Sequence, residues 1–170
     1  MLQHLQNGQV FPKLEIPAVG GGVVRLPDDL VGSYGVVLIY RGSWCPFCNE
    51  QLAGFASAAQ SLGEHGIKVV AFSVDDEATT KELIAKHHIP FKMGHSAKVD
   101  TVVDATAAYE SEFPTRGRFL ESTGFVLAPD GTIVNAVYSS RAIGRLAASD
   151  VIRFIAFTKS QAKQPQANAS

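Results

Sequence analysis

The sequence predicts an α/β fold with a mixed central sheet flanked by helices and an extended pair of strands at the N-terminal end. Three observations predict it. Continuous β-branched and aromatic runs at Val36–Tyr40 and Ile67–Val74 have the character of strands buried on both faces. The segment between them, Cys45 to Gly63, carries helical periodicity and is long enough for the crossover that parallel strands need. Farther on, two β-rich runs flank Pro129-Asp130-Gly131, the signature of an antiparallel hairpin. A chain of 170 residues suits one domain, expected over residues 1–160, with 161–170 as a polar, disordered tail.

Taken in order, Gln9 to Leu26 reads as two short strands around the turn Gly20-Gly21-Gly22. After the Val36–Tyr40 strand, Leu52, Phe55, Ala56, Ala59 and Leu62 fall on one helical face, and Gly63 and Gly66 bracket its end. Following the Ile67–Val74 strand, Asp75 and Asp76 supply the N-cap region of a helix from Glu77 to His87 that Pro90 stops. Val99, Val102, Val103 and Ala107 predict a further helix over roughly Lys98 to Glu110, and Ser111 to Ser122 reads as irregular. The hairpin spans Phe125–Ala128 and Thr132–Tyr138; Ser149 then caps a last helix with Val151, Ile152, Ile155 and Ala156 on its apolar stripe.

Composition excludes several classes of function. Fifteen basic residues against sixteen acidic ones leave a net charge of −1, which provides no electrostatic footprint for nucleic acid or an anionic membrane. The first 17 residues lack a basic segment followed by an apolar stretch, so no secretory signal is expected, and no apolar run is long enough to predict a membrane span. The expected compartment is the cytoplasm, where thiols stay reduced. The Gly20–Gly22 run lacks phosphate-loop spacing, and the sequence calls for no cofactor.

The chemistry is concentrated in Ser43-Trp44-Cys45-Pro46-Phe47-Cys48, which contains both cysteines of the chain and follows a strand directly. A C-x-x-C beside a βαβ pattern reads as a thioredoxin-like redox motif. At the start of a helix, first-turn N–H groups and the helix dipole favour a thiolate at Cys45, and the thiolate is the nucleophile. Pro46 fits the first turn because its missing N–H has no intrahelical partner there. Cys48, one turn on, is within reach for a disulfide. Structural zinc needs four ligands and only these two cysteines exist, while His87 and His88 are adjacent and diverge on a helix.

Val36 to Leu52 resembles the signature of the peroxiredoxin-like branch of the alkyl hydroperoxide reductase and thiol-specific antioxidant family, with Tyr40, Arg41, Gly42, Trp44, Cys45, Pro46 and Cys48 matching its motif. VVAFSVDD, IPFKM and FVLAPDGTIV extend the likeness over about residues 10–158. The resemblance implies a thioredoxin-like fold with an extended N-terminus. It also implies a peroxide- or disulfide-reducing thiol at Cys45, thioredoxin or a low-molecular-weight thiol as electron donor, and a possible homodimer. The sequence departs from the family where it carries Leu38 and Gly42 in place of a proline and a peroxide-binding threonine, with Ser43 offering a hydroxyl one residue away. The family arginine position falls on Ser122, leaving Arg41 and Arg145 as candidates, and Thr123 stands at the place where thioredoxins have a cis-proline. Trp44 either shields the thiol or fills core beneath the helix. Three functions are therefore expected to compete: a thiol peroxidase, a general thiol–disulfide oxidoreductase, and a copper-binding protein with His95 as a third ligand.

Overall fold

A computed structural model describes residues 1–164. Its centre is a five-stranded sheet in the order β5-β4-β3-β8-β9. Strand β3 (Tyr34–Ile39) runs parallel to β4 (Ile67–Phe72), which pairs in parallel with β5 (Lys92–Gly94). On its other side β3 meets β8 (Thr123–Leu127) antiparallel, and β8 continues antiparallel to β9 (Ile133–Tyr138). The mixed sheet of the expected thioredoxin-like fold is therefore present, and the two N-terminal strands, β1 (Leu14–Pro17) and β2 (Val23–Leu26), form a separate antiparallel pair.

Alternation along the strands builds a core on each face of the sheet. Val37 and Ile39 of β3 join Phe11, Leu14, Val24 and Phe125 on one face, covered by the N-terminal strands and by α4 (Val99–Thr106). Val36, Leu38 and Tyr40 face the other way, against Leu52 and Phe55 of α1 (Pro46–Ser57), Leu62 of α2 (Ala59–Glu64), Leu83 of α3 (Glu77–His87) and Ile155 of α5 (Ala148–Lys163). Both cysteines lie in this second core.

Several boundaries differ from the sequence expectation. The long helix over 45–63 breaks at Ala58 into α1 and α2. Helix α3 has the expected ends, but it stops because His88 turns left-handed at φ 51°, before Pro90 is reached. Helix α4 ends at Thr106, where Ala107 turns left-handed at φ 57°, four residues short of Glu110. The segment expected to be irregular is a second hairpin, β6 (Glu110–Phe113) and β7 (Gly117–Leu120), whose strands are too short and too polar to show a period. Ala147 stands at the N-cap of α5 with no side-chain bond, and Ser149 lies within its first turn. Helix α5 runs on to Lys163, so 161–163 of the expected tail are helical, while 165–170 lie outside the described residues. Among the described residues, no helix is long and apolar enough to cross a membrane.

Candidate active site

The chain leaves β3 at Ile39, turns through Tyr40 to Trp44, and enters α1 at Pro46 with Cys45 as the N-cap residue. The Cys45 N–H donates to the Gly42 carbonyl (3.1 Å), and the Cys45 carbonyl accepts from Asn49 N–H (3.1 Å) as α1 begins. Cys45 Sγ takes the place of a capping oxygen and accepts from the Cys48 N–H at 3.4 Å. The preceding loop is pinned from below. The Ser43 N–H donates to Asp75 Oδ2 (2.7 Å), and its carbonyl accepts from Asn49 Nδ2 (2.9 Å). Asp75 and Asp76 thus divide the work expected of both as a cap. Asp76 accepts from Thr79 N–H at 2.8 Å to start α3, while Asp75 fastens the cysteine loop.

Two guanidiniums converge on the thiols. Arg41 Nη1 stands 3.7 Å from Cys45 Sγ, and the Arg41 backbone N–H donates to Cys48 Sγ at 3.3 Å. Arg145, from the loop between β9 and α5, brings Nη2 to 3.0 Å from Cys48 Sγ and 3.7 Å from Cys45 Sγ. Gln51 of α1 holds that loop with both ends of its amide, accepting from Arg145 Nη1 (2.7 Å) and donating to the Leu146 carbonyl (2.9 Å). Gly124 of β8 makes room for this loop, since a Cβ there would lie 2.7 Å from Leu146 Cδ1.

Arg41 is itself boxed in. Its Nε lies 2.8 Å from Glu121 Oε2, a carboxylate with 0% side-chain exposure. The approach is off the N–H direction, so the contact is an ion pair without a well-aligned hydrogen bond. Ser111 Oγ donates to the other Glu121 oxygen at 2.6 Å. The guanidinium lies over the rings of Trp44 (4.9 Å), Phe119 (5.2 Å) and Phe113 (5.9 Å). Trp44 is half-buried and packs against the core that contains both cysteines and the apolar face of α1. It packs edge-on against Phe119 at 5.0 Å and carries Arg116 over its ring at 4.4 Å.

Sequence reasoning missed Glu121, Ser111, Phe113 and Phe119 because all four belong to the unforeseen β6–β7 hairpin or its end. The one available signal was an acidic residue, Glu121, beside the buried strand that begins at Thr123. Of the remaining candidates, Ser122 uses its carbonyl to accept from Ser139 N–H (3.0 Å), and Thr123 Oγ1 donates to the Glu121 carbonyl (3.1 Å). Neither makes a hydrogen bond to a thiol among the described residues. His95 sits between Ser96 and Glu77, and among the described residues no group of three His, Cys, Asp or Glu side chains could hold a metal, so the copper reading lacks its third ligand.

The electrostatics separate the two sulfurs. Burial opposes ionisation of Cys45, but the Cys48 thiol and N–H, Arg41 and Arg145 outweigh it and hold the Cys45 thiol below its ordinary value. Burial pushes Cys48 up to about 11, and its hydrogen bond to Cys45 adds to the rise. Rising pH therefore ionises Cys45 first. Alkylation of Cys45 by iodoacetamide, mapped by mass from about pH 5 to about pH 9, should reach half its maximum below the value of about 8.5 usual for a thiol. Cys48 should remain unlabelled in the same samples; labelling of the two in parallel would contradict the separation.

The model of the AhpC/TSA family matches residues 7–136. The chain belongs to this family. Similar AhpC/TSA relatives include 1-Cys peroxiredoxin B of Oryza sativa subsp. indica, 29% identical over 100 residues, covering 59% of this chain and 44% of that protein. Another is 1-Cys peroxiredoxin PER1 of Hordeum vulgare, 30% identical over 78 residues, covering 46% and 35%. The chain thus spans less than half the length of these two relatives. Among solved structures, a mutant of peroxiredoxin 6 of Arenicola marina superposes with a TM-score of 0.81 at 19% identity, covering 94% of this chain and 76% of that one. The peroxidoxin BcpB of Mycobacterium tuberculosis gives 0.74 at 18% identity, covering 95% and 100%. At these identities the likeness shows a shared fold.

The departure at Gly42 has a local cause. A Cβ at position 42 would lie 2.2 Å from Trp44 Nε1 and 2.7 Å from Trp44 Cδ1, with the ring held in its aromatic box. A threonine is therefore incompatible with this placement of Trp44. Gly42→Thr should cost about 1–3 kcal/mol by overpacking, read as a lowered midpoint of urea unfolding. Trp44→Ala in the same chain should recover part of that loss, and no recovery would show that the clash is not the cause.

Proposed function

We propose that the protein is a thiol-dependent peroxidase in which Cys45 attacks a peroxide and Cys48 resolves the product. One observation carries the reading: Cys45 Sγ caps α1 within 3.7 Å of two guanidiniums, with the second thiol one turn away. The Cys45 thiolate attacks the nearer peroxide oxygen, the O–O bond breaks, and the sulfur becomes a sulfenic acid, while the departing hydroxide or alkoxide takes up the proton that Cys45 released on ionising and leaves as water or an alcohol. Cys48 then forms the Cys45–Cys48 disulfide and water departs. Two thiol groups, from one thioredoxin or from two molecules of a low-molecular-weight thiol, return both cysteines to the reduced state and leave as a disulfide. Arg41 Nη1, 3.7 Å from Cys45 Sγ, supports a role for this cation in offsetting the negative charge that develops as the O–O bond breaks.

A small substrate fits better than a protein disulfide, since both cysteines have 0% exposure. Beside Arg145 lies a cleft of about 320 Å³ between Phe47, Gln51, Ile143 and Leu146, of a size for a small thiol. A compartment that keeps thiols reduced, such as the cytoplasm, suits this cycle; a homodimer is the assembly we propose from the family. The test is hydrogen peroxide consumption by the purified protein with dithiothreitol as donor. Turnover well above the buffer rate is expected. Insulin reduction without peroxide turnover would replace this reading with a general thiol–disulfide oxidoreductase.

A further inference from the structure

We infer that the two arginines serve different steps, with Arg41 assisting attack by Cys45 and Arg145 stabilising the charge on Cys48 when the disulfide forms and when it opens. The inference rests on the reading of Cys45 and Cys48 as an attacking and resolving pair. Of the two sulfurs, the guanidinium of Arg41 contacts Cys45 Sγ, at 3.7 Å, and its other side is occupied by Glu121. Arg145 makes its short contact, 3.0 Å, with Cys48 Sγ and only a 3.7 Å contact with Cys45 Sγ. It is also held for that task, by Gln51 Oε1 at 2.7 Å and by the Ala142 carbonyl, which accepts from Nε at 2.5 Å.

Chemistry gives Cys48 need of such a partner. In resolution, the Cys48 proton leaves, its sulfur attacks the Cys45 sulfur, the S–O bond breaks, and hydroxide departs with that proton as water. In recycling, a small thiolate attacks Cys45 Sγ, a mixed disulfide forms, the Cys45–Cys48 bond breaks, and Cys48 leaves carrying the electron pair. A second thiol then releases the reductant as its own disulfide. In both steps the charge rests on a sulfur sealed from water, which burial disfavours. Arg145 is the cation nearest to that sulfur among the described residues.

The test uses Arg145→Met, which keeps the length of the side chain, and Arg145→Lys, which keeps the charge, each checked for wild-type near-ultraviolet circular dichroism. The first step is read as the rate of dimedone-trappable Cys45 sulfenic acid, and the second as the rate of its conversion to the disulfide. In Arg145→Met the second step should slow about tenfold more than the first, with partial recovery in Arg145→Lys. Equal slowing of both steps, a larger effect on the first, or no effect on either would overturn the assignment. A separate arm oxidises the pair with diamide and follows opening of the disulfide by dithiothreitol. Slower opening in Arg145→Met supports the assignment, and equal rates overturn it, even if the wild-type protein consumes no peroxide. Absence of peroxide chemistry in the wild type would instead defeat the proposed function.

Discussion

Replacing Cys45 by serine should bring peroxide consumption down to the buffer rate, a loss on the order of a thousandfold or more, while the fold survives. The size of the loss follows from removing the nucleophile itself, which no neighbour can replace. Cys48 is the only other sulfur nucleophile of this type in the chain, and it is held as a thiol up to about 11. Survival of the fold follows from geometry. A serine hydroxyl can accept from the Cys48 N–H as Cys45 Sγ does, so the N-cap of α1 is kept. Cys48→Ser should differ in kind. The first oxidation should still occur, but the sulfenic acid should persist and be trapped by dimedone instead of closing to a disulfide. Substantial turnover by Cys45→Ser, measured with the same donor, would show that the reactive sulfur has been misassigned.

The second large effect should come from Glu121. Glu121→Ala should destabilise the protein by about 3–5 kcal/mol, because it leaves the Arg41 charge buried without its partner. For a chain of this size that corresponds to a fall in melting temperature of about 10 °C. The paired change Arg41→Met with Glu121→Leu removes both charges and should recover much of the stability, since apolar replacements of buried ion pairs are often well tolerated. It should not recover peroxide reactivity, because the cation beside Cys45 Sγ is gone. Glu121 is thus a positioning residue acting through Arg41. Full activity in the charge-free pair would remove Arg41 from the chemistry, and an unchanged melting temperature in Glu121→Ala would show that the ion pair carries no structural weight.

Much of this site was legible in the sequence, and the parts that were not share a cause. The strand–Cys–helix order around Cys45 and Cys48 follows from local features: a β-branched run, a proline at N1 and an apolar helical stripe. Helix α3 was equally readable, because Asp76 and its cap bond to Thr79 lie within four residues of one another. Arg145 was named as a candidate, but its reach to Cys48 depends on a loop clamp by Gln51 across 94 positions of sequence. Glu121 is farther beyond local reading. Its partners are Arg41, from the cysteine loop, and Ser111, from a strand of alternating exposed and half-buried residues with no apolar face to betray it. The threonine missing at Gly42 and the arginine missing at Ser122 were visible as departures. Arg41 was named as a candidate, but its 3.7 Å approach to Cys45 Sγ and the close packing of the Trp44 ring against Gly42 are facts of packing that the sequence does not display.

The most direct measurement of the central claim is a single turnover. Fully reduced protein is mixed with one equivalent of hydrogen peroxide, quenched with an alkylating agent over a time course, and mapped by mass. The account predicts rapid loss of two hydrogen atoms from the peptide containing Cys45 and Cys48, far faster than the oxidation of a free dithiol, and in Cys48→Ser the gain of one oxygen at Cys45. If both cysteines remain alkylated, or if the disulfide forms no faster than in a small dithiol at the same pH, Cys45 is not a peroxide-reducing thiol.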